Sequence, residues 1–86
     1  MAKIEIYTQP GCPYCVRAVQ ILASKNLPFT EIDAPHGTQA RLDSISRSGG
    51  GRTVPQIFVD GRCLGGCTDL MQLESTGELD SILAQE

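Results

Sequence analysis

Residues 4–22 read IEIYTQPGCPYCVRAVQIL, and the order of features within this stretch decides the fold. Its β-branched opening predicts a strand over residues 3–7. Its later apolar positions recur at near-helical spacing and predict a helix over residues 13–24. Cys12 and Cys15 therefore lie at the junction of a strand and a helix.

The paired thiols of Cys12 and Cys15 can close into a small disulfide ring and reopen. Cys12 comes first and meets the helix N-terminus, where aligned backbone dipoles present about half a positive charge and favour a thiolate. The thiolate is the form of cysteine that attacks disulfides. Pro13 suits the first helical position, because its φ is already helical and no intrahelical N–H is lost. The pattern predicts a thiol–disulfide redox protein.

The composition is that of one small domain, expected to span residues 1–86. The chain has no Trp and few aromatic residues, so its core must come from Ile, Leu, Val and Ala. Its four cysteines fall below the density of a disulfide scaffold, which is roughly 8–10%. A net charge of −3 argues against nucleic acid as a partner, because phosphate binding needs clustered Lys and Arg.

The first residues, Met1 to Ile6, lack the long apolar stretch of a signal peptide, and no later segment resembles a bilayer span. We therefore expect no membrane partner and a cytoplasmic location. In that reducing compartment, paired cysteines indicate catalysis or metal binding more often than a structural disulfide.

The rest of the chain divides into short elements separated by turn residues. An alternating run over residues 29–33 predicts a second strand, parallel to the first through a right-handed crossover. Asp60-Gly61 predicts a hairpin. Ala40, Leu42 and Ile45 are expected to face inward from the second helix. The remaining predicted elements are a helix over 39–47, strands over 56–59 and 62–65, a helix capped by Cys67 or Thr68, and a short helix over 79–83.

This order, βαβ-α-ββα, predicts an α/β fold with a four-stranded sheet that mixes parallel and antiparallel pairs and is flanked by helices. The first helix is expected to turn one apolar face toward that sheet. The residues assigned to this face are Val16, Val19, Ile21, Leu22 and Ala23.

Three motifs at matching separations resemble one family. They are Cys12-Pro13-Tyr14-Cys15, Thr53-Val54-Pro55 before the third strand, and Gly65-Gly66-Cys67-Thr68-Asp69 before a late helix. Together they resemble the dithiol glutaredoxins of the CPYC type, in the thioredoxin superfamily, over nearly the whole chain. The resemblance implies a thioredoxin-like fold and the glutathione-dependent reduction of protein disulfides and glutathione mixed disulfides.

The resemblance also implies the roles of the two active-site thiols. Cys12 is the expected nucleophile, and Cys15 is the resolving thiol that attacks the mixed disulfide formed on Cys12. No tightly bound cofactor is implied, and glutathione serves as the reductant. The expected partners are glutathione and client proteins that carry a disulfide or a glutathionylated cysteine, and the protein is expected to be a monomer.

Other residues match the family's glutathione groove. Tyr14 is expected to line it, and the Val54–Pro55 bond is expected to be cis. A cis bond would turn the Val54 amide and carbonyl outward, where they can pair with the glutathionyl backbone as an added strand does. Thr53 would flank this contact.

The third motif implies a site for the γ-glutamyl end of glutathione. Amides of Gly66 and Cys67 near the helix N-terminus suit its carboxylate. Asp69 suits its α-amino group. Another interpretation makes Thr68 or Asp69 an ordinary N-cap, worth about 1 kcal/mol. Both hold together if Thr68 caps the helix while Asp69 binds the ligand.

The chain departs from the family near the first cysteine. Glutaredoxins commonly carry a lysine three residues before it, which assists binding of the glycine carboxylate, and this chain has Gln9. Arg52 and Gln39 are the candidate substitutes. Cys63 is expected to be a small hydrophobe in the sheet, although a regulatory role for Cys63 or Cys67 stays open. His36 is expected to be a solvated loop residue.

Two other functions compete with the oxidoreductase. One is a carrier or sensor of an iron–sulfur cluster, with glutathione among the ligands; Pro13 and Tyr14 disfavour it, because cluster-binding members usually carry smaller or more flexible residues there. The other is a zinc site built from all four cysteines. Zinc ribbons usually separate their thiol pairs by about 15–20 residues, and Cys15 and Cys63 are much further apart.

Overall fold

A computed structural model describes residues 3–84 of the chain. Four strands form one sheet in the order β2-β1-β3-β4, in which only the β1–β2 pair is parallel. The predicted four-stranded mixed sheet is therefore confirmed. The elements are β1 (Ile4–Thr8), α1 (Pro13–Ala23), β2 (Phe29–Asp33), α2 (Gln39–Arg47), β3 (Gln56–Val59), β4 (Arg62–Gly65), α3 (Cys67–Thr76) and α4 (Glu78–Ala84).

Both faces of the sheet are covered, because successive side chains of a strand point to opposite sides. One face carries the larger core, in which strand residues such as Ile6 pack with Leu22 of α1 and with Leu70 of α3. The opposite face is smaller and centres on Tyr7 and Phe58, whose rings meet edge to face. Burial of each such side chain stabilises the fold by roughly 1.5–3 kcal/mol.

The predicted inward face of α1 is partly wrong. Cys15, Ala18 and Leu22 are the buried residues of this helix, whereas Val16 is 57% exposed. Residues spaced by three and four positions form one narrow stripe. The five apolar residues that were predicted to face inward lie on more than one side of the helix, so they cannot all contact the sheet.

The predicted inward face of α2 is partly wrong, because Ala40 packs against the smaller core but Leu42 does not face inward. Leu42 is 59% exposed, and the buried residues of α2 are Arg41 and Ser44. Ala40 and Ile45 are half-buried. Arg41 and Ser44 share a face because they lie three positions apart, and the nearby loops offer carbonyl groups to the Arg41 side chain.

Lys25, just beyond α1, ties together the helices on the larger core. Its ammonium group pairs with Glu74 of α3 and lies 2.9 Å from a carboxylate oxygen of Asp80 in α4. These contacts raise the pKa of Lys25, the hydrogen bond to Glu74 contributing most and the one to Asp80 next. Within residues 3–84, none of the helices has the length and apolar character needed to cross a membrane.

Candidate active site

Cys12 occupies the N-cap of α1, directly before Pro13 at the first helical position. Its Sγ atom accepts a hydrogen bond from the Cys15 amide at 3.3 Å, and its carbonyl oxygen accepts one from the Val16 amide at 3.1 Å. The sulfur therefore stands where the unpaired amides of the helix converge, an arrangement that stabilises negative charge. Cys12 is partly exposed, so other molecules can reach this sulfur.

Cys15 lies one turn inside the helix and is 3% exposed. Burial raises the pKa of its thiol to about 12, the hydrogen bond with Cys12 acts in the same direction, and the backbone of Gln9 acts against them. The Cys15 thiol therefore keeps its proton at neutral pH. Both cysteines are free thiols in this structure, which corresponds to the reduced dithiol.

The Val54–Pro55 peptide bond, which precedes β3, is cis. The Val54 carbonyl oxygen lies 3.9 Å from Cys12 Sγ, so the loop and the cysteine motif face each other. Pro55 is buried beneath this contact, whereas Thr53 is exposed beside it. The second motif thus supplies a backbone edge next to the Cys12 sulfur.

The third motif forms the start of α3. Gly66 is the N-cap, and its amide donates a hydrogen bond to Oδ2 of Asp69 at 3.0 Å. The expectations that Cys67, Thr68 or Asp69 is the N-cap are wrong, because α3 begins at Cys67 and all three residues lie within its first turn. One Asp69 oxygen is thereby committed to the turn. The first amides of α3 have no acceptor within the helix itself, as at any helix start.

Two glycines allow this turn to approach the cis-proline loop. Gly65 has a φ of +99°, and a Cβ atom there would collide with the Asp69 carboxylate. A Cβ atom on Gly66 would lie 3.3 Å from the Pro55 carbonyl oxygen, tighter than most real contacts. A side chain at Gly66 would push the third motif away from the second, whereas one at Gly65 would displace Asp69 within the third motif.

A groove of about 460 Å³ runs between these loops and brings the three motifs together. Tyr14 borders it and is 62% exposed. Gln56 and Gly65 also line the groove, although neither was predicted as a site residue. Gly65 is the first residue of the third motif, and the only signal for Gln56 in the sequence is that it follows Pro55. The full lining is Tyr14, Thr53, Val54, Pro55, Gln56, Gly65, Gly66, Cys67, Thr68 and Asp69.

Gln9, Arg52 and Gln39 do not line this groove. Gln39 Nε2 donates to Asp43 Oδ1 at 3.0 Å, along the exposed side of α2. Gln9 borders a second cavity of about 490 Å³, which lies between α1 and β2 and also includes Cys15. Gln9 and Arg52 are connected to each other by Arg41, a residue that the sequence did not single out.

The two remaining cysteines have no equivalent of the Cys12 environment. Cys63 is half-buried beside Phe58, as expected for a small hydrophobe, and its thiol lies 3.8 Å from Gln56 Oε1. Cys67 is buried, and burial raises the pKa of its thiol. In the described part of the chain, no three His, Cys, Asp or Glu side chains are grouped as metal ligands, so the zinc alternative has no ligand set there.

A partly exposed thiol at a helix start, a buried second thiol one turn away and a cis-proline loop are the site of a thiol–disulfide oxidoreductase with a thioredoxin-like fold. The glutaredoxin family profile matches residues 4–64. Glutaredoxin 3 of Escherichia coli K12 is 47% identical over 83 residues, covering 96% of this chain and 99% of its own. This chain therefore belongs to the glutaredoxin family.

Two further relatives agree with this assignment. Glutaredoxin 1 of Rickettsia typhi is 47% identical over 81 residues, covering 93% of this chain and 78% of its own. The solution structure of a glutaredoxin from Brucella melitensis is 49% identical and superposes with a TM-score of 0.82, covering 96% of this chain and 89% of that one. The likeness extends over nearly the whole chain in both cases.

Proposed function

We propose that this glutaredoxin reduces protein disulfides and glutathione mixed disulfides, with glutathione as the electron donor. The observation that carries the proposal is the unequal environment of its two thiols. Cys12 Sγ accepts the Cys15 amide at a partly exposed helix start, whereas Cys15 is buried and its pKa is raised to about 12. One sulfur is set up to attack, and the other stays protonated until the first has reacted.

With a glutathionylated client, Cys12 attacks the sulfur of glutathione. The bond between client and glutathione breaks, the client sulfur leaves as a thiolate and takes up a proton, and Cys12 becomes bonded to glutathione. The thiolate of a second glutathione then attacks the bound glutathione sulfur. Glutathione disulfide leaves, and the Cys12 thiolate is restored.

With a disulfide-containing client, both cysteines take part. Cys12 attacks one client sulfur, and the other client sulfur leaves as a thiolate. Cys15 then loses its proton and attacks Cys12, which releases the second client thiol and closes the Cys12–Cys15 disulfide. Two glutathione molecules reduce that disulfide in turn, so two electrons pass to each client disulfide.

The groove next to Cys12 is proposed to hold the glutathione moiety. Val54 would pair with its cysteine backbone in the manner of an added strand, and Tyr14 and Thr53 would flank it. The amides of Cys67 and Thr68 at the start of α3 would bind the γ-glutamyl carboxylate, because the Gly66 amide already donates to Asp69. Asp69 would take the α-amino group with its second oxygen, because Oδ2 already holds the turn.

The glycine carboxylate of glutathione is proposed to lie toward the loops of Gln9 and Arg52. Both residues belong to segments that flank the cysteine motif and the cis-proline loop. Gln39 is a weaker candidate, because its amide is already bonded to Asp43. We further propose that the protein acts as a monomer on thiols of clients in a reducing compartment such as the cytoplasm.

Cysteine-to-serine variants test the proposal on two substrates, a glutathionylated peptide and a protein disulfide. Cys12→Ser is expected to lose both activities. Cys15→Ser is expected to keep the first and lose the second. Cys63→Ser is the matched control, because Cys63 lies outside the groove, and it should keep both. Activity retained by Cys12→Ser, or an equal rate without glutathione, would contradict the proposal.

A further inference from the structure

Arg41 of α2 is a buried charge whose every donor is used. The residue is 5% exposed, and among residues 3–84 no carboxylate lies within ion-pair distance of it. A guanidinium group carries five N–H bonds and accepts none. Its contacts are Nε to the Arg52 carbonyl at 3.3 Å, Nη1 to Gln9 Oε1 at 2.9 Å and to the Ala34 carbonyl at 2.8 Å, and Nη2 to the Arg52 carbonyl at 3.2 Å and to His36 Nε2 at 3.4 Å.

These acceptors come from the loops that surround the cysteine motif. Gln9 lies between β1 and α1, Ala34 and His36 lie between β2 and α2, and Arg52 lies between α2 and β3. Arg41 therefore joins three loops that are far apart in sequence. His36, expected to be only a solvated loop residue, is exposed, and its Nε2 atom lies 3.4 Å from Nη2 of Arg41.

The contact with Gln9 has a consequence for the direction of its amide. Because Arg41 can only donate, the atom that faces it must be the amide oxygen of Gln9. The Nε2 group of Gln9, with both its N–H donors, then points to the opposite side. The amide is thus fixed in the orientation that leaves its donors available.

We propose that Arg41 is a positioning residue of the glutathione site. It anchors itself on the carbonyls of Ala34 and Arg52, holds Gln9 Oε1, and so presents Gln9 Nε2 to the glycine carboxylate without binding the ligand itself. This proposal rests on the proposed function. It explains how a neutral glutamine can serve at the place where related proteins carry a lysine, because a donor of fixed direction replaces a mobile charge.

Kinetics of the full-length protein with a glutathionylated peptide test this role. Arg41→Lys keeps the positive charge and loses the planar fork, and it is expected to raise KM about tenfold, with a smaller change in kcat. Gln9→Ala should have a similar effect. Adding Arg41→Lys to Gln9→Ala should then change KM by less than about twofold, because the contact is already gone. The control is Arg47→Lys on the same helix, which should leave KM unchanged.

Gln9→Glu gives a second measurement that leaves Arg41 intact. Its carboxylate still accepts from Arg41, now as an ion pair, but the Nε2 donors are lost. The variant is expected to unfold at a higher urea concentration at pH 7 and yet show a KM raised at least about tenfold. Gln72→Glu, at an exposed position of α3 that lines neither cavity, should do neither.

The results separate the two proposals. An unchanged KM in Arg41→Lys would overturn the positioning role. So would a double variant whose increase in KM equals the product of the increases in Arg41→Lys and Gln9→Ala. No gain in urea resistance for Gln9→Glu would show that Arg41 does not hold Gln9, and this measurement uses no glutathione. Absence of turnover by the wild-type protein would instead refute the proposed function. The urea titrations of wild type and Gln9→Glu would still show whether Arg41 holds Gln9.

Discussion

The Sγ atom of Cys12 lies 3.3 Å from the backbone nitrogen of Cys15, so the residue that carries the buried thiol also donates a hydrogen bond to the partly exposed sulfur. The two sulfurs are thereby held in fixed relation by the first turn of α1. A change at Cys15 that keeps the backbone leaves this hydrogen bond in place, because the donor is an amide. Variants of the Cys15 side chain can thus remove the second thiol without removing the hydrogen bond to Cys12 Sγ.

The raised pKa of Cys15 predicts a pH-dependent stability of the reduced protein. Below the pKa of an unfolded cysteine, about 8.5, both states hold the proton and the stabilisation is complete. Above it the unfolded chain loses the proton and the folded chain keeps it. The free energy of unfolding should therefore fall as pH rises from about 8.5 toward 12, by at most about 1.4 kcal/mol per pH unit for this thiol.

Urea titrations with a reductant present measure this slope. In Cys15→Ala, the free energy of unfolding should decline less steeply with pH than in wild type. Cys63→Ala removes a half-buried thiol elsewhere and keeps Cys15, so its decline should be as steep as that of wild type. Some decline should persist in Cys15→Ala, because burial also raises the pKa of Cys67. A decline of the same size in wild type and Cys15→Ala would contradict the prediction.

Gly65→Ala is expected to destabilise the fold and weaken the groove together. Its φ of +99° disfavours alanine, which costs roughly 1 kcal/mol, and the new Cβ atom would displace Asp69. Gly77→Ala is the matched control, with a φ of +81° and open space around its Cβ. Urea titration should show a loss in both variants, and KM for a glutathionylated peptide should rise only in Gly65→Ala.

Ser44→Ala is expected to stabilise the protein by about 1 kcal/mol or more. The Ser44 hydroxyl is buried and has no hydrogen-bond partner among the described residues, which carries a cost that alanine removes. Alanine also has the higher helix propensity, worth about 0.5 kcal/mol. Ser46→Ala, at an exposed position of α2, isolates that second contribution. Equal gains in the two variants would show that the buried hydroxyl carries no penalty.

Lys25→Met is expected to lower the free energy of unfolding by about 1 kcal/mol, because the ion pairs of Lys25 with Glu74 and Asp80 are only partly shielded from water. The difference between wild type and variant should shrink in 1 M salt, where the screening length is about 3 Å. Denaturant titrations at low and high salt check both points. A difference that does not depend on salt would assign the effect to packing of the aliphatic stem.

The sequence predicted the elements well where local chemistry is decisive. β2, α2, β3 and β4 have the predicted bounds, because each is framed by proline, glycine or Asp60-Gly61 turns. β1 lies one residue later than predicted, since its last residue, Thr8, still pairs with Asp33 of the parallel neighbour. That pairing depends on the tertiary structure and leaves no local signal.

The inward faces of the helices were harder to predict, and Arg41 shows why. Arginine in a short helix is normally on the surface, so its sequence position gives no hint of burial. Its environment becomes favourable only when carbonyls from three separate loops assemble around it. The groove was easier, because its lining comes from three contiguous motifs, each with its own backbone signature.

The hydrogen bond from the Gly66 amide to Asp69 fixes the conformation of a carboxylate that lines the groove. A carboxylate already held by its own backbone has few rotamers left to lose when an amine arrives. The side chain loses its conformational entropy when the protein folds. Binding of an amine then carries no further entropic cost for ordering this side chain. In the proposed glutathione site, an Asp69 freed from this turn would therefore bind the α-amino group more weakly, even if the contact itself were unchanged.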